Sequence, residues 1–214
     1  MKKYSILVID SGTGGKLVYN RLINDFPKEN FIFFEDVENS PYGNKNKREL
    51  LEITKINIEK FSKFNIKIVI FACNTLSSVV LNDIKNIFPT KIFLGVNPDY
   101  YFSAYKNFNI LVLSTKRTRQ YVLKKNYGKN VKVIGFKFLA KRIDKEYQDL
   151  SGVKKYISTV LKRTKFIPDI IVLGCTHYIL IREFISSLYN NGVELVDNYL
   201  PLKLQLRKIV QTLN

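Results

Sequence analysis

The chain carries one pattern twice. Its first half alternates short apolar runs at Tyr4–Ile9, Asn30–Phe34, Ile66–Ala72 and Lys91–Val96 with helical stretches. The second half does the same with runs at Asn109–Leu113, Val131–Gly135, Ile170–Leu173 and Val193–Val196. Val8 aligns with Val112 at an offset of 104, and Cys73 with Cys175 and Gly95 with Asp197 at offsets of 102. Between the runs, Lys16–Phe26, Arg48–Phe64 and Leu76–Phe88 space their apolar residues as helix faces do. Strands alternating with helices of this length build parallel βαβ units. The predicted fold class is therefore α/β, with two pseudo-symmetric parallel-sheet lobes and the active site in the cleft between them. The pattern breaks at Asn97–Asn107, around Pro98. The closing helical segment, Leu202–Leu213, is expected to return to the first lobe. The expected division is residues 1–97 plus 198–214 for the first lobe and 98–197 for the second.

In open parallel sheets, ligands bind beyond the carboxyl ends of the strands. Here those ends carry Asp10-Ser11, Cys73-Asn74-Thr75, Ser114-Thr115 and Cys175-Thr176-His177. If the lobes face each other, both cysteines enter one cleft. Each precedes a helix, whose N-terminal partial charge lowers a thiol pKa from its usual ~8.5. Both are expected to be usable thiolates near neutral pH. One thiolate then removes a proton from carbon while the opposing thiol returns one to the other face, and the carbon inverts. Two other readings stay open. A cysteine after an apolar strand can be a small buried hydrophobe. Two facing cysteines can be a redox pair, provided their Cα atoms lie within ~7 Å. The glycine-rich stretch Asp10 to Gly15 lacks the GxGxxG spacing of a dinucleotide site. Its backbone N–H groups could hold a carboxylate as readily as a phosphate.

Composition excludes several classes. Hydrophobic residues make up 46% of the chain, enough for a packed core rather than disorder. The longest apolar run, Ile66–Cys73, is strand-sized and broken by Lys67, so no membrane helix is expected. The N-terminal run Ile6–Ile9 ends at Asp10, too short for a secretory signal, which points to the cytoplasm. Two cysteines cannot make a disulfide scaffold, and one histidine without a CxxC gives no zinc site of the usual kinds. No metal is expected. The net charge of +17 invites an anionic partner such as nucleic acid. The lysines are scattered, however, and the excess of Asn, Ile, Phe and Tyr without Trp accords with AT-rich codons. No nucleic-acid partner is expected; some of the charge can draw in a dianionic substrate.

Five segments in order then resemble one family. They are ILVIDSGTGG at 6–15, Ser40-Pro41-Tyr42-Gly43, Ala72-Cys73-Asn74-Thr75, the Ser114-Thr115…Thr118 turn, and Gly174-Cys175-Thr176-His177-Tyr178. The chain resembles the glutamate racemases of the aspartate/glutamate racemase superfamily along essentially its whole length. The resemblance implies a two-lobed enzyme that needs no cofactor and often pairs into a homodimer. It implies interconversion of L- and D-glutamate, supplying D-glutamate for peptidoglycan. Carried over position by position, it makes Cys73 and Cys175 the two acid/base groups, Asp10 the helper of the first and His177 the helper of the second. Ser11, Tyr42, Gly43, Asn74, Thr75, Thr118 and Thr176, with Asp10 and His177, match substrate-binding positions. The chain also departs from the family. Phe136-Lys137 replaces a Cys-Pro, and the glutamate that follows it falls on Asp144, or on Glu146 if a gap intervenes. Asp197-Asn198 replaces Asp-Ser, Ile179 replaces a proline, and the chain is shorter and more basic. Racemisation of aspartate or another small dicarboxylate, and a degenerate basic binding protein, are the alternatives.

Overall fold

The run Ser5–Asp10 is apolar on both faces, as a central parallel strand covered from both sides must be. In the computed structural model it forms β1, and every one of its residues is buried. The structure describes residues 4–189 and 192–213; Lys2 and Lys3, the basic start of the N-terminal segment, lie outside them. After β1 come α1 (Thr13–Asp25), β2 (Phe31–Glu35), a 3-10 turn at Tyr42–Asn44, α2 (Lys47–Glu59), β3 (Ile66–Phe71), α3 (Asn74–Val79), α4 (Leu81–Ile87) and β4 (Ile92–Gly95). The second half follows with α5 (Asp99–Ala104), β5 (Ile110–Thr115), α6 (Lys116–Lys124), β6 (Val131–Phe136), α7 (Leu139–Lys145), α8 (Ser151–Lys162) and β7 (Ile170–Gly174). A 3-10 turn at Thr176–Ile181, α9 (Arg182–Ser187), β8 (Glu194–Asp197) and α10 (Tyr199–Leu213) complete it.

The strands form two four-stranded sheets, ordered β2-β1-β3-β4 and β6-β5-β7-β8, which are the same order written twice. All pairings are parallel. Val8 lies opposite Ile70 as Val112 lies opposite Val172. Phe71 lies opposite Gly95 as Leu173 lies opposite Asp197. The landmarks of the sequence repeat thus occupy equivalent rungs of two equivalent sheets.

Each sheet has a core on both faces. On the first, Ile6, Val8, Ile68 and Ile70 pack with Val18 and Leu22 of α1 and with Tyr199, Leu202, Leu206 and Val210 of α10. Its other face packs Leu7, Ile9, Val69 and Phe71 against Leu50, Ile58, Leu76 and Ile84 of α2 to α4. The second sheet is covered by α7 to α9 on one side and by α5 and α6 on the other.

Local differences from the sequence reading have physical causes. The first helix starts at Thr13 rather than Lys16, because the low helix propensity of Gly14 and Gly15 hides a first turn fixed by tertiary contact. The stretch read as one helix over Leu76–Phe88 is two, α3 and α4, with the break at Val80 (φ −124°, ψ −6°). Val80 is fully buried, so the apolar stripe runs through the break and conceals it. The helix read as Arg48–Phe64 ends at Glu59; its start is fixed by a capping box between Asn46 and Glu49. The connection at 97–107 contains a short helix, α5, whose Tyr101 and Phe102 are buried.

Candidate active site

Cys73 follows β3 and is the N-cap of α3; Cys175 follows β7 and is the N-cap of the 3-10 turn. Repeat equivalence therefore places both thiols at matching strand ends, and both line one cavity between the lobes. Both are free thiols, 8% and 5% exposed. The cavity is constricted, with about 20 Å³ of free space, room for about one water molecule. Its walls are Asp10, Ser11, Tyr42, Gly43, Asn74 and Thr75 from the first lobe, and Thr115, Ala140, Thr176 and His177 from the second. Among the described residues no lysine or arginine lines it.

Close approach of the lobes explains the glycine-rich turn. A Cβ on Gly12 would stand 2.7 Å from His177 Nε2, and one on Gly14 would stand 2.5 Å from the His177 backbone nitrogen. A Cβ on Gly15 would overlap Asp10. Gly12 and Gly14 thus make room for the 3-10 turn of the other lobe, and Gly15 makes room for Asp10 of its own. Polar contacts cross the same seam. Thr176 donates to Asp10 Oδ2 at 3.2 Å, and Thr75 and Thr115 share a hydrogen bond of 3.1 Å.

Each thiol has a titratable neighbour. Asp10 is fully buried and accepts from the Ser11 N–H at 2.6 Å. Burial pushes its pKa up to about 6, opposed by the His177 charge and its hydrogen bonds. On the other side, His177 Nδ1 lies 3.8 Å from Cys175 Sγ and Nε2 lies 3.0 Å from Asp144 Oδ2. Burial works against the imidazolium, but the hydrogen bonds to Asp144 and Cys175 outweigh it and hold His177 well above the usual histidine range. Asp144 is held low: the bond and charge of His177, with a bond from Thr13, overcome its partial burial.

One expectation is corrected here. The start of α3 does not make Cys73 a resting thiolate. Burial first, and the Asp10 charge second, push the thiol well above its ordinary value, against the lowering bonds of the Leu76 and Thr75 N–H groups. A six-residue helix cannot offset full desolvation.

The other expected site residues fall into place unevenly. Thr118 is fully buried behind Thr115, which it meets through both its N–H (3.2 Å) and its hydroxyl (3.1 Å); Thr115, not Thr118, lines the cavity. Tyr42 lines the cavity, but its hydroxyl points away, donating to the buried Asp36 at 2.5 Å and accepting from Asn57 at 3.2 Å. It offers its ring and backbone to a ligand. Asp144 stands behind His177, whereas Glu146 is paired with Arg142 at 2.8 Å. Thr115, Asp36 and Thr13 were not among the expected site residues. Only Thr115 carried a signal, as the strand-end partner of Ser11 in the repeat.

Asp10 also makes a stability prediction. Its folded pKa of about 6 exceeds the unfolded value of 3.8, so the folded state binds the proton more tightly. The burial penalty is absent below pH ~4, grows as pH rises, and is complete above ~6. Asp10→Asn should therefore gain about 3 kcal/mol of stability relative to the parent between pH 4 and pH 7. Urea denaturation at both pH values reads the difference; an equal difference at both would refute the assignment.

No family model matches the chain. Curated relatives do. It is 34% identical to the glutamate racemase of Fusobacterium nucleatum, covering 99% of this chain and 82% of the relative. It is 32% identical to glutamate racemase 3 of Caldanaerobacter subterraneus over 100% and 81% of the two chains.

The chain belongs to the glutamate racemase family.

Solved structures agree on the fold. Glutamate racemase isoform RacE1 from Bacillus anthracis superposes with a TM-score of 0.84 at 24% identity, covering 99% of this chain and 83% of that one. The Escherichia coli glutamate racemase, solved with L-glutamate and the activator UDP-MurNAc-Ala, gives 0.82 at 24% identity over 98% and 83%. An allantoin racemase from Pseudomonas fluorescens shares the fold at 0.54 and 12% identity, so the fold of this family does not by itself choose a substrate. Within the family's two-lobed frame, Cys175, His177 and Asp144 lie in hydrogen-bonding succession on the second lobe. No helix of the described residues is long and apolar enough to cross a membrane.

Proposed function

We propose that this racemase interconverts L- and D-glutamate by proton exchange at Cα between Cys73 and Cys175. The observation that supports it most is that the two thiols, each beside its own titratable partner, line one narrow cavity from opposite lobes. A base on one face takes the Cα proton as an S–H bond forms. The thiol on the other face gives up its proton to the same carbon, and the configuration inverts. Cys73 rests protonated, ready to deliver. Asp10 offers a carboxylate for the substrate ammonium. Ser11, Asn74, Thr75, Thr115 and Thr176 supply neutral donors for carboxylates and for the enediolate-like charge of the transition state. The Escherichia coli and Francisella tularensis relatives, solved with L- and D-glutamate, fit this choice of substrate. In this reading the product is D-glutamate for the cell wall, made in the cytoplasm.

The cavity is too narrow for an amino acid as it stands, and in this reading the lobes part to admit one. The test is to incubate the reduced protein with L-glutamate, and separately with L-aspartate, and follow optical rotation. Glutamate should lose its rotation and aspartate should not. Preference for aspartate would transfer the reading to the smaller dicarboxylate; inertness toward both would reject it.

A further inference from the structure

Both half-sites contain a carboxylate, and each carboxylate receives a threonine hydroxyl from the opposite lobe. Thr176 of the second lobe donates to Asp10. Thr13 of the first lobe donates to Asp144 Oδ1 at 2.6 Å. Thr13 is the first residue of α1, and Gly12 before it leaves the space that the His177 ring fills. The opening turn of α1 thus touches both members of the His177–Asp144 pair. The other oxygen of Asp144 lies 3.0 Å from His177 Nε2, and His177 Nδ1 lies 3.8 Å from Cys175 Sγ. Thr13, Asp144, His177 and Cys175 form one hydrogen-bonded series that begins in one lobe and ends in the other.

We infer that Thr13 is a positioning residue for the Cys175 half-site, which is complete only when the lobes are closed. The inference rests on the two-thiol reading above. A carboxylate held through one oxygen turns easily about its broad terminal torsion. Two bonds, one from each lobe, fix its plane, and that plane fixes the imidazole beside Cys175. A hydroxyl bonded to a charged acceptor makes a strong, short contact, and the start of α1 favours the same negative charge. When the lobes part, Thr13 leaves with the first. Asp144 then loses the donor that orients it, and the acid/base group of the second side loosens while the site is open to water. The Asp10 side is loosened in the same way by loss of Thr176.

Thr13→Val removes the hydroxyl at nearly constant volume, and Thr13→Ser restores it. Thr13 is exposed, so neither change should disturb folding, which thermal midpoints verify. Racemisation is followed across pH for parent and variants. Thr13→Val should lower kcat roughly three- to tenfold, with KM within about twofold, as loss of one bond to a charged acceptor at an orienting group implies. Its acidic limb should move to higher pH, because the lost donor had held Asp144 low. Thr13→Ser should recover both kcat and the limb. Parent-like kcat and pH profile in Thr13→Val would overturn the inference, and so would a Thr13→Ser as impaired as Thr13→Val. Either outcome with an active parent leaves the two-thiol reading standing. An inactive, fully reduced parent would overturn that reading and this inference together.

Discussion

Cys73→Ser should abolish racemisation, and so should Cys175→Ser, because conversion in either direction uses both sulfurs. A serine hydroxyl does not exchange protons with carbon near neutral pH as a thiol does. Loss of one acid/base group is expected to cost on the order of 10²–10⁴ in kcat. Both side chains are almost fully buried, and oxygen for sulfur is a small change in volume, so the fold should persist. The single variants should still differ from each other. Each keeps one sulfur and therefore one face of the carbon. With β-chloroalanine, the remaining sulfur, once deprotonated, can take the Cα proton as chloride leaves, and no second proton is needed. Cys73→Ser and Cys175→Ser should eliminate chloride from opposite enantiomers. Near-normal racemisation by either variant would end the two-base assignment.

Gly14→Ala should be nearly as damaging while leaving both sulfurs in place. The added methyl would stand 2.5 Å from the His177 backbone nitrogen and 2.6 Å from the Thr176 carbonyl carbon. Backbone cannot swing aside as a side chain can, so the lobes must separate. A displacement near 1 Å at catalytic groups can cost ~10²-fold, and that is the expected loss in kcat/KM. Gly43→Ala offers a graded comparison, because its methyl meets the Thr115 side chain at 2.7 Å rather than backbone. It should cost less. The sheets and their cores do not involve these glycines, so denaturant midpoints should fall far less than activity. Parent-like turnover in Gly14→Ala would mean that closure at this seam is not required.

The fold was legible because short apolar runs alternate with helical stretches in the same order twice. SILVID, IKIVIF, ILVLST and IIVLG are apolar on both faces, and the repeat fixed their partners by symmetry. The break at Val80 was not legible, since a buried valine continues the stripe that a single helix would show. At the site, residues at strand ends were legible: Asp10, Cys73 and Cys175 follow from topology alone. Interactions that depend on how the lobes meet were not. No local signal tells that Thr13 reaches Asp144, 131 positions away, that Tyr42 turns its hydroxyl to Asp36, or that Thr115 rather than Thr118 faces the cavity. Nor could the sequence weigh desolvation against a helix start at Cys73, because burial is a property of the closed cavity.

The origin of the hydrogen that enters the product tests the central claim most directly. L-glutamate is incubated in D₂O, and both enantiomers are separated at low conversion and their Cα label measured. A thiol on each face predicts that D-glutamate carries solvent deuterium from the first turnover while the remaining L-glutamate keeps its protium. D-glutamate that retains the original hydrogen, or L-glutamate labelled as fast as product forms, would show one group serving both faces and would contradict the account.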